Sequence, residues 1–459
     1  MYYFLDPFGC VKNQVDAENM MAHLNNAGWE IAPDAENANL IIVNSCGFIE
    51  SAKKESINAV LNWRKLYPEK KILLAGCLSQ RYANELAETL PETDGFFGVD
   101  DISRIVEKVE LITGNRGLPP QKNSDTFSRP LLSLPGSAYV KISEGCDNRC
   151  SFCAIPLIRG GLHCRTIPEI LAECKGLLDR DIRELCIIGQ DIGSYHSANG
   201  DYSANGGLPE LLGAISTLKG KGQFWVRLLY IHPDHFPLPI LDIMEKDARF
   251  LPYFDIPFQH ASAKILAAMN RRGTAESHLA LVETIRRRLP RAVIRSTFLL
   301  GFPGETEEDF ASLLDFQEKA RLDWLGCFAY SREEDTAAYS MQAQVPKKTA
   351  ARRKQIIEER QIPISEKNMD RFAGQTVDVL IEEKFGSNAD NAISSDSTLS
   401  ENNEIYWLGR LYCQAPDIDG AAVIVSNDAE NANLTPGTFV SCKVIARRGI
   451  DLLVSNNVL

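Results

Sequence analysis

The chain has 459 residues, a formal net charge of −12, 44% hydrophobic and 24% charged residues, a composition that suits two or three soluble globular domains and exceeds a single one. The acidic balance speaks against wholesale electrostatic binding to nucleic acid. No run of about 18 apolar residues offers a membrane span and no basic flank opens the chain as an export signal, so a cytoplasmic protein is expected, its 12 cysteines serving as metal ligands or buried thiols rather than disulfides.

Along residues 1–115 short apolar runs alternate with helical patterns, the rhythm of an α/β layer. Runs at 2–5, 40–43 and 71–75 read as buried parallel strands. Between the last two, residues 51–66 read as a helix with apolar positions at Ile57, Val60, Leu61 and Leu66. A Gly-, Pro- and polar-rich linker is expected at 114–130. A second alternation follows, with strands expected at 137–142, 184–188, 225–230, 254–256, 293–300 and 324–330, and helices at 167–179, 262–269 and 306–320. Six such units suggest a partial (β/α) barrel, shorter than a closed eightfold one. The charged stretch 347–371 reads as a long exposed connecting helix. Beyond it, runs at 376–381, 422–425, 439–446 and 451–454, punctuated by turn residues, predict a small antiparallel barrel with a polar, low-complexity insertion at 386–404.

Chemistry is concentrated in cysteines. Cys146, Cys150 and Cys153 form a C-x3-C-x2-C run. Three thiolates on one loop can hold three irons of a cubane cluster and leave the fourth open to a small molecule. A zinc loop completed by His163 or Cys164, or three incidental thiols, are the alternatives that spacing leaves open. Cys10, Cys46 and Cys77 are far apart in sequence, yet each follows an apolar strand-like run. In a parallel sheet those strand ends share one edge, so the three either converge on a second cluster or are buried strand-end thiols.

Other features read as structural. Thr306 followed by Asp309 is a capping box. His232-Pro233-Asp234-His235 reads as a proline-bent turn, and Cys174, Cys327, Cys413 and Cys442 as core thiols, the last two in barrel strands.

The words around these cysteines resemble the radical S-adenosylmethionine (SAM) methylthiotransferases. They include Gly9-Cys10-Val11-Lys12-Asn13, Asn44-Ser45-Cys46-Gly47-Phe48, Gly76-Cys77-Leu78-Ser79-Gln80-Arg81 and Phe152 before Cys153. Lys141-Ile142-Ser143-Glu144-Gly145, Pro257-Phe258-Gln259-His260 and Gly301-Phe302-Pro303-Gly304 continue the match. The resemblance implies an amino-terminal cluster-binding α/β domain at 1–115, a radical SAM core of partial (β/α) barrel type at 132–365, and an OB-like TRAM β-barrel at 372–459.

It also implies two 4Fe–4S clusters, one on Cys146, Cys150 and Cys153 with SAM at its open iron, the other on Cys10, Cys46 and Cys77 presenting the sulfur. SAM contacts are expected from Phe152, Gly189, Gln190, Arg227 and Gln259. In the family a 5′-deoxyadenosyl radical takes hydrogen from an unactivated carbon, which acid–base groups could not deprotonate at neutral pH. A second SAM supplies the methyl group. One branch of the family modifies an aspartate of ribosomal protein S-twelve, and another an adenosine of tRNA. The word Asn44–Ala52 resembles the protein branch, as does Gly409-Arg410-Leu411-Tyr412. So does the charge of residues 372–459, with 12 Asp and Glu against 5 Lys and Arg, although Arg410, Lys443, Arg447 and Arg448 leave room for a basic face. S-twelve, free or in the small ribosomal subunit, is the expected substrate, with flavodoxin or ferredoxin as electron donor, no membrane partner, and tRNA as the alternative.

Overall fold

The computed structural model describes residues 1–115, 129–196, 207–385, 405–426 and 434–456. Most of the expected linker and the whole insertion at 386–404 lie outside the described residues.

The first sheet has five parallel strands in the order β2-β1-β3-β4-β5: β1 (Tyr2–Pro7), β2 (Glu30–Ile31), β3 (Leu40–Ser45), β4 (Lys71–Gly76) and β5 (Gly95–Phe97). Parallel pairing needs crossover helices, and these cover both faces: α1 (Val11–Asn26), α2 (Glu50–Leu66), α3 (Cys77–Thr89) and α4 (Ile105–Thr113). Alternation divides β3 between two cores. Leu40 and Ile42 pack with Met20 and Leu24 of α1, and Ile41 and Val43 with Val60 of α2 and Leu78 of α3. Of the apolar positions expected to bury α2, Val60 does so, but Leu61 and Leu66 are 39% and 63% exposed. The helix lies against the sheet along a narrower stripe than its composition suggests.

The second sheet carries six parallel strands in the order β13-β12-β11-β10-β9-β6, with a short antiparallel pair β7–β8 beside it. These strands are β6 (Ser137–Lys141), β7 (Ser143–Glu144), β8 (His163–Cys164), β9 (Glu184–Ile188), β10 (Trp225–Leu228), β11 (Phe250–Asp255), β12 (Val293–Leu300) and β13 (Trp324–Ala329). Every expected strand is present, β11 starting earlier than predicted. The Thr306–Asp309 capping box forms at the head of the helix Glu307–Ala320. The helix Lys347–Met369 is a correction: it is not merely an exposed connector. Ala350, Arg353, Ile357, Gln361 and Ile364 are buried along one stripe. Its polar members are engaged, Arg353 by Glu305 at 2.8 Å and Gln361 by donating to the Leu322 carbonyl at 2.8 Å, which is why the stripe does not read as apolar.

The third element is a closed five-stranded barrel, ordered β14-β15-β16-β18-β17: β14 (Thr376–Phe385), β15 (Ile405–Arg410), β16 (Ala422–Ser426), β17 (Phe439–Arg448) and β18 (Asp451–Ser455). It is not wholly antiparallel, because β18 inserts between β16, to which it is parallel, and β17. The strand β15 was not expected. Cys442 is buried in β17, whereas Cys413 is buried beyond the end of β15 rather than in a strand.

Residues 411–419 leave the barrel and enter the open second sheet at the starts of its strands. There the Trp324 indole donates to the Cys413 carbonyl at 2.7 Å, the Tyr253 hydroxyl to Asp419 at 2.6 Å, and the Tyr412 hydroxyl to the Arg291 carbonyl at 3.0 Å. Arg410 does not belong to a basic face: it is buried on Glu184 at 2.6 Å and Glu382 at 2.5 Å. Arg447 is engaged by Asp370 at 2.7 Å.

Candidate functional site

Cys10 lies just past β1, Cys46 directly after β3 and Cys77 directly after β4, and these three strands are neighbours. The three cysteines therefore share the carboxyl edge of the first sheet. Their loops touch: a Cβ on Gly9 would stand 3.3 Å from the Cys46 Cβ, and one on Gly47 would stand 2.6 Å from the Cys77 carbonyl oxygen. Gly76 turns the chain into Cys77 at φ +94, where an added Cβ would meet the Ser45 carbonyl oxygen at 2.6 Å. Asn13 ties the loops together, its amide donating to the Phe8 carbonyl at 2.8 Å and the Ser45 carbonyl at 3.1 Å, and its Oδ1 standing 3.8 Å from the Cys77 thiol.

The second set sits on one loop of the core, between β7 and the helix α5 (Ile155–Arg159). Arg149 turns this loop at φ 49. Ser151 pins it, its amide donating to the Met269 carbonyl at 3.0 Å and its hydroxyl to the Ala268 carbonyl at 2.8 Å. Asn148 donates to Asp191 at 2.9 Å. Burial raises the Asp191 carboxyl, but donors from His235, Ser194, Asn148 and the His232 amide prevail and hold it well below the usual carboxylate range. Hence His232 and His235 do form the expected turn, and His235 also buttresses the cysteine loop through Asp191. Arg271 sits beside Cys150 and donates to His232 at 3.0 Å. Burial and Arg271 keep that imidazole neutral, with a pKa of about 3.

Burial raises Cys146 to about 11 and Cys153 to about 12. It raises Cys77 to about 12 against the pull of Arg159. Thiols so placed keep their protons unless a metal displaces them. Among the described residues no three His, Cys, Asp or Glu side chains gather tightly enough to grip a single metal ion. His163 is exposed and, with Cys164, belongs to the β7–β8 pair, Glu144 facing His163 and Ser143 facing Cys164.

Cys77 of the first set meets the segment that follows the second set at the seam between sheet and core. Cys77 packs against Ala154, the residue after Cys153, and against Ile158 of α5. Arg159 reaches across to donate to the Cys77 sulfur at 3.1 Å and Asp16 at 2.8 Å, while its other nitrogen holds Glu144 at 2.8 Å. Lys141 pairs with Asp16 and Glu144 as well. Asp16, Glu144, Lys141 and Arg159 form an ion network beside Cys77 that the sequence did not single out. Their only signal was a set of charges beside cysteine words, and the pairing between them is set by the fold.

Of the expected SAM contacts, Gly189 follows β9 and Gln190 comes next. A Cβ on Gly189 would stand 2.6 Å from the Ser143 hydroxyl. That hydroxyl and the Gln190 amide nitrogen are both buried without a hydrogen-bond partner. Orphaned donors around a bare glycine, at the strand ends beside the cysteine loop, fit a polar ligand. Phe152 packs with Ile265, Met269 and Phe302, and half-buried Gln259 stands at φ 68 beside β12, its amide donating to the Thr297 carbonyl at 2.8 Å. Arg227 is elsewhere. It is fully buried at the barrel side, on Glu184 at 2.7 Å and the Tyr412 carbonyl at 2.9 Å, so its guanidinium braces two parts of the fold and presents no surface to a ligand.

Residues 2–98 match the uncharacterized protein family UPF0004, residues 140–316 the radical SAM superfamily and residues 373–455 the TRAM domain. A Treponema denticola protein named ribosomal protein uS12 methylthiotransferase RimO is 44% identical over 477 residues, covering 98% of this chain and 99% of its own. A protein of the same name from Syntrophomonas wolfei is 39% identical over 455 residues, covering 97% of each. Among solved structures, the radical S-adenosylmethionine methyltransferase TsrM from Kitasatospora setae, with cobalamin and a 4Fe–4S cluster bound, matches with a TM-score of 0.50 and 14% identity, covering 85% of this chain and 77% of that one. This last likeness is one of fold. No helix among the described residues is long and apolar enough to cross a membrane.

Proposed function

The chain belongs to the ribosomal protein uS12 methylthiotransferase family of radical SAM enzymes, and on that premise we propose that it adds a methylthio group to the β-carbon of an aspartate in uS12. The supporting observation is the contact of Cys77 with the helix that follows Cys153, on which it packs and from which Arg159 bonds its sulfur. On this reading Cys146, Cys150 and Cys153 hold one 4Fe–4S cluster, and Cys10, Cys46 and Cys77 a second. When bound, these groups and two SAM molecules supply a carbon-centred radical and a transferable methylthio group.

The protein's own residues do the rest. Ser143, Gly189 and Gln190 offer a close-fitting polar floor for SAM at the strand ends, and Phe152 and Gln259 flank it. Asp191 and Arg271 fix the cysteine loop. Arg159 and Lys141 offset Asp16 and Glu144 at the seam, so that their carboxylates are spent before any substrate arrives. An electron donor of the flavodoxin or ferredoxin type and uS12, free or in the small subunit, are the partners.

The test is anaerobic turnover of reconstituted protein with SAM and reductant, run in parallel on small ribosomal subunits and on tRNA lacking the modification, and read by mass spectrometry. A methylthio mass gain on an aspartate peptide of uS12, absent from tRNA, is the expected result. A mark on tRNA alone sinks the proposal.

A further inference from the structure

Lys12 stands two residues past Cys10, in the first turn of α1, and is only 6% exposed. Its ammonium lies 3.0 Å from the centre of the Tyr230 ring, across the seam between the first sheet and the core. The other cations along this seam are each committed to carboxylates. Lys141 and Arg159 share Asp16 and Glu144, and Arg295 holds Asp255 at 3.1 Å and Asp419 at 3.6 Å. Among the described residues Lys12 has no carboxylate at ion-pair distance; Cys10 and, less strongly, Asp255 act on it only through space. An aromatic face stabilises an ammonium but accepts none of its N–H groups in the way a carboxylate does. A buried ammonium with spare donors and no anion bonded to it favours the arrival of one.

Tyr230 supports the same conclusion independently. It is a non-glycine residue held at φ 68, its carbonyl accepting from the Ile192 amide at 3.0 Å. Such strain persists where the surroundings fix a residue for use. Tyr230 follows β10 and Lys12 follows β1, so both occupy the carboxyl edges of their sheets, the edges that carry the two cysteine sets.

Resting on the function proposed above, we infer that Lys12 receives the carboxylate of the target aspartate side chain, with the Tyr230 ring as its backing. Gripping that carboxylate fixes the adjoining β-carbon, the atom to be modified. It also sets specificity. An asparagine at the same place forms no ion pair and leaves the ammonium buried and uncompensated.

The experiment uses the full chain with its clusters reconstituted, fluorescently labelled uS12, and uS12 in which the aspartate located by mass spectrometry is replaced by asparagine. Binding is read by anisotropy, and methylthio transfer by mass spectrometry. The wild-type protein is expected to bind the aspartate form about 10- to 100-fold more tightly, the range for a charge-assisted hydrogen bond within a buried pair. Lys12→Met should abolish the preference, and Lys12→Arg should keep most of it. Should Lys12→Met fail to fold, judged by its unfolding midpoint, Lys12→Gln makes the same comparison. An undiminished preference for aspartate in the neutral variant overturns the assignment while leaving the function standing. Wild-type protein that marks no uS12 at all overturns the function, and the assignment with it.

Discussion

Where the core meets the first sheet, charges crowd the seam: Asp16, Lys141, Glu144 and Arg159 pair among themselves, Lys12 lacks a carboxylate partner, and Cys10 is exposed. Where the core meets the barrel, the contact is apolar and sealed. Tyr253, Trp324, Tyr412 and Cys413 interlock around one ion cluster in which Arg227, Glu184 and Arg410 are almost wholly excluded from solvent. The difference separates two tasks. A seam that must admit ligands keeps polar groups ready and accepts a less favourable resting state. A seam that only joins parts pairs its charges with one another and excludes water.

The largest effects should fall on the first seam and should divide by cysteine set. Cys150→Ala is expected to abolish SAM cleavage, measured as 5′-deoxyadenosine under reducing conditions. Cys77→Ala should retain that cleavage and lose methylthio transfer. Equal loss of cleavage in both variants would erase the division of labour drawn between the sets.

Next in size is the heart of the second seam. Glu184→Gln strips the anion from between two buried guanidiniums and should cost about 3 to 5 kcal/mol, read from denaturant unfolding, with SAM cleavage per folded molecule retained. A loss of cleavage instead would mean that the barrel seam takes part in the chemistry.

Acidity probes the same seam at two carboxyl groups. Burial raises Glu184, but Arg410 and Arg227 prevail and hold it at about 2. Its contribution is therefore present above about pH 4.5 and drains away as pH falls toward 2. Asp419 runs the other way. Burial raises it to about 6 against the pull of Arg295, so the stability it confers is full below about pH 4 and is lost as pH rises through 6, amounting to as much as about 3 kcal/mol. Asp419→Asn should flatten the limb between pH 4 and 6 in a thermal-unfolding series and leave the acid limb in place. The smallest expected effect is Trp324→Phe, which removes one hydrogen bond to the Cys413 carbonyl and should cost about 1 kcal/mol.

Much of this was legible in the residues. Runs such as Leu40–Ser45 and Val293–Leu300 are apolar enough to announce parallel strands, and both cysteine sets announced themselves by spacing or by context. What escaped was non-local. The strand Ile405–Arg410 is the exception, since its Ile-Tyr-Trp-Leu run favours a strand locally but stands directly behind the polar stretch 386–404. The buried stripe of Lys347–Met369 includes Arg353 and Gln361, which read as solvent-facing until Glu305 and the Leu322 carbonyl are seen beside them. Arg227, expected at SAM, answers to Glu184 across a strand pair and to a carbonyl 185 residues away. The acidity of the last 88 residues also meant less than its count. Arg410 and Glu382 spend their charges on each other, and the acids at 390, 396, 401 and 404 fall in the insertion.

The barrel's strand order has one more consequence, for the making of the protein. With β18 seated between β16 and β17, the ring is an open four-stranded ladder until Asp451–Ser455 exists. During translation this part of the chain therefore stays unsealed until Ser455 has cleared the exit tunnel. A copy truncated before that point presents two bare strand edges, the kind of surface that chaperones and proteases act on.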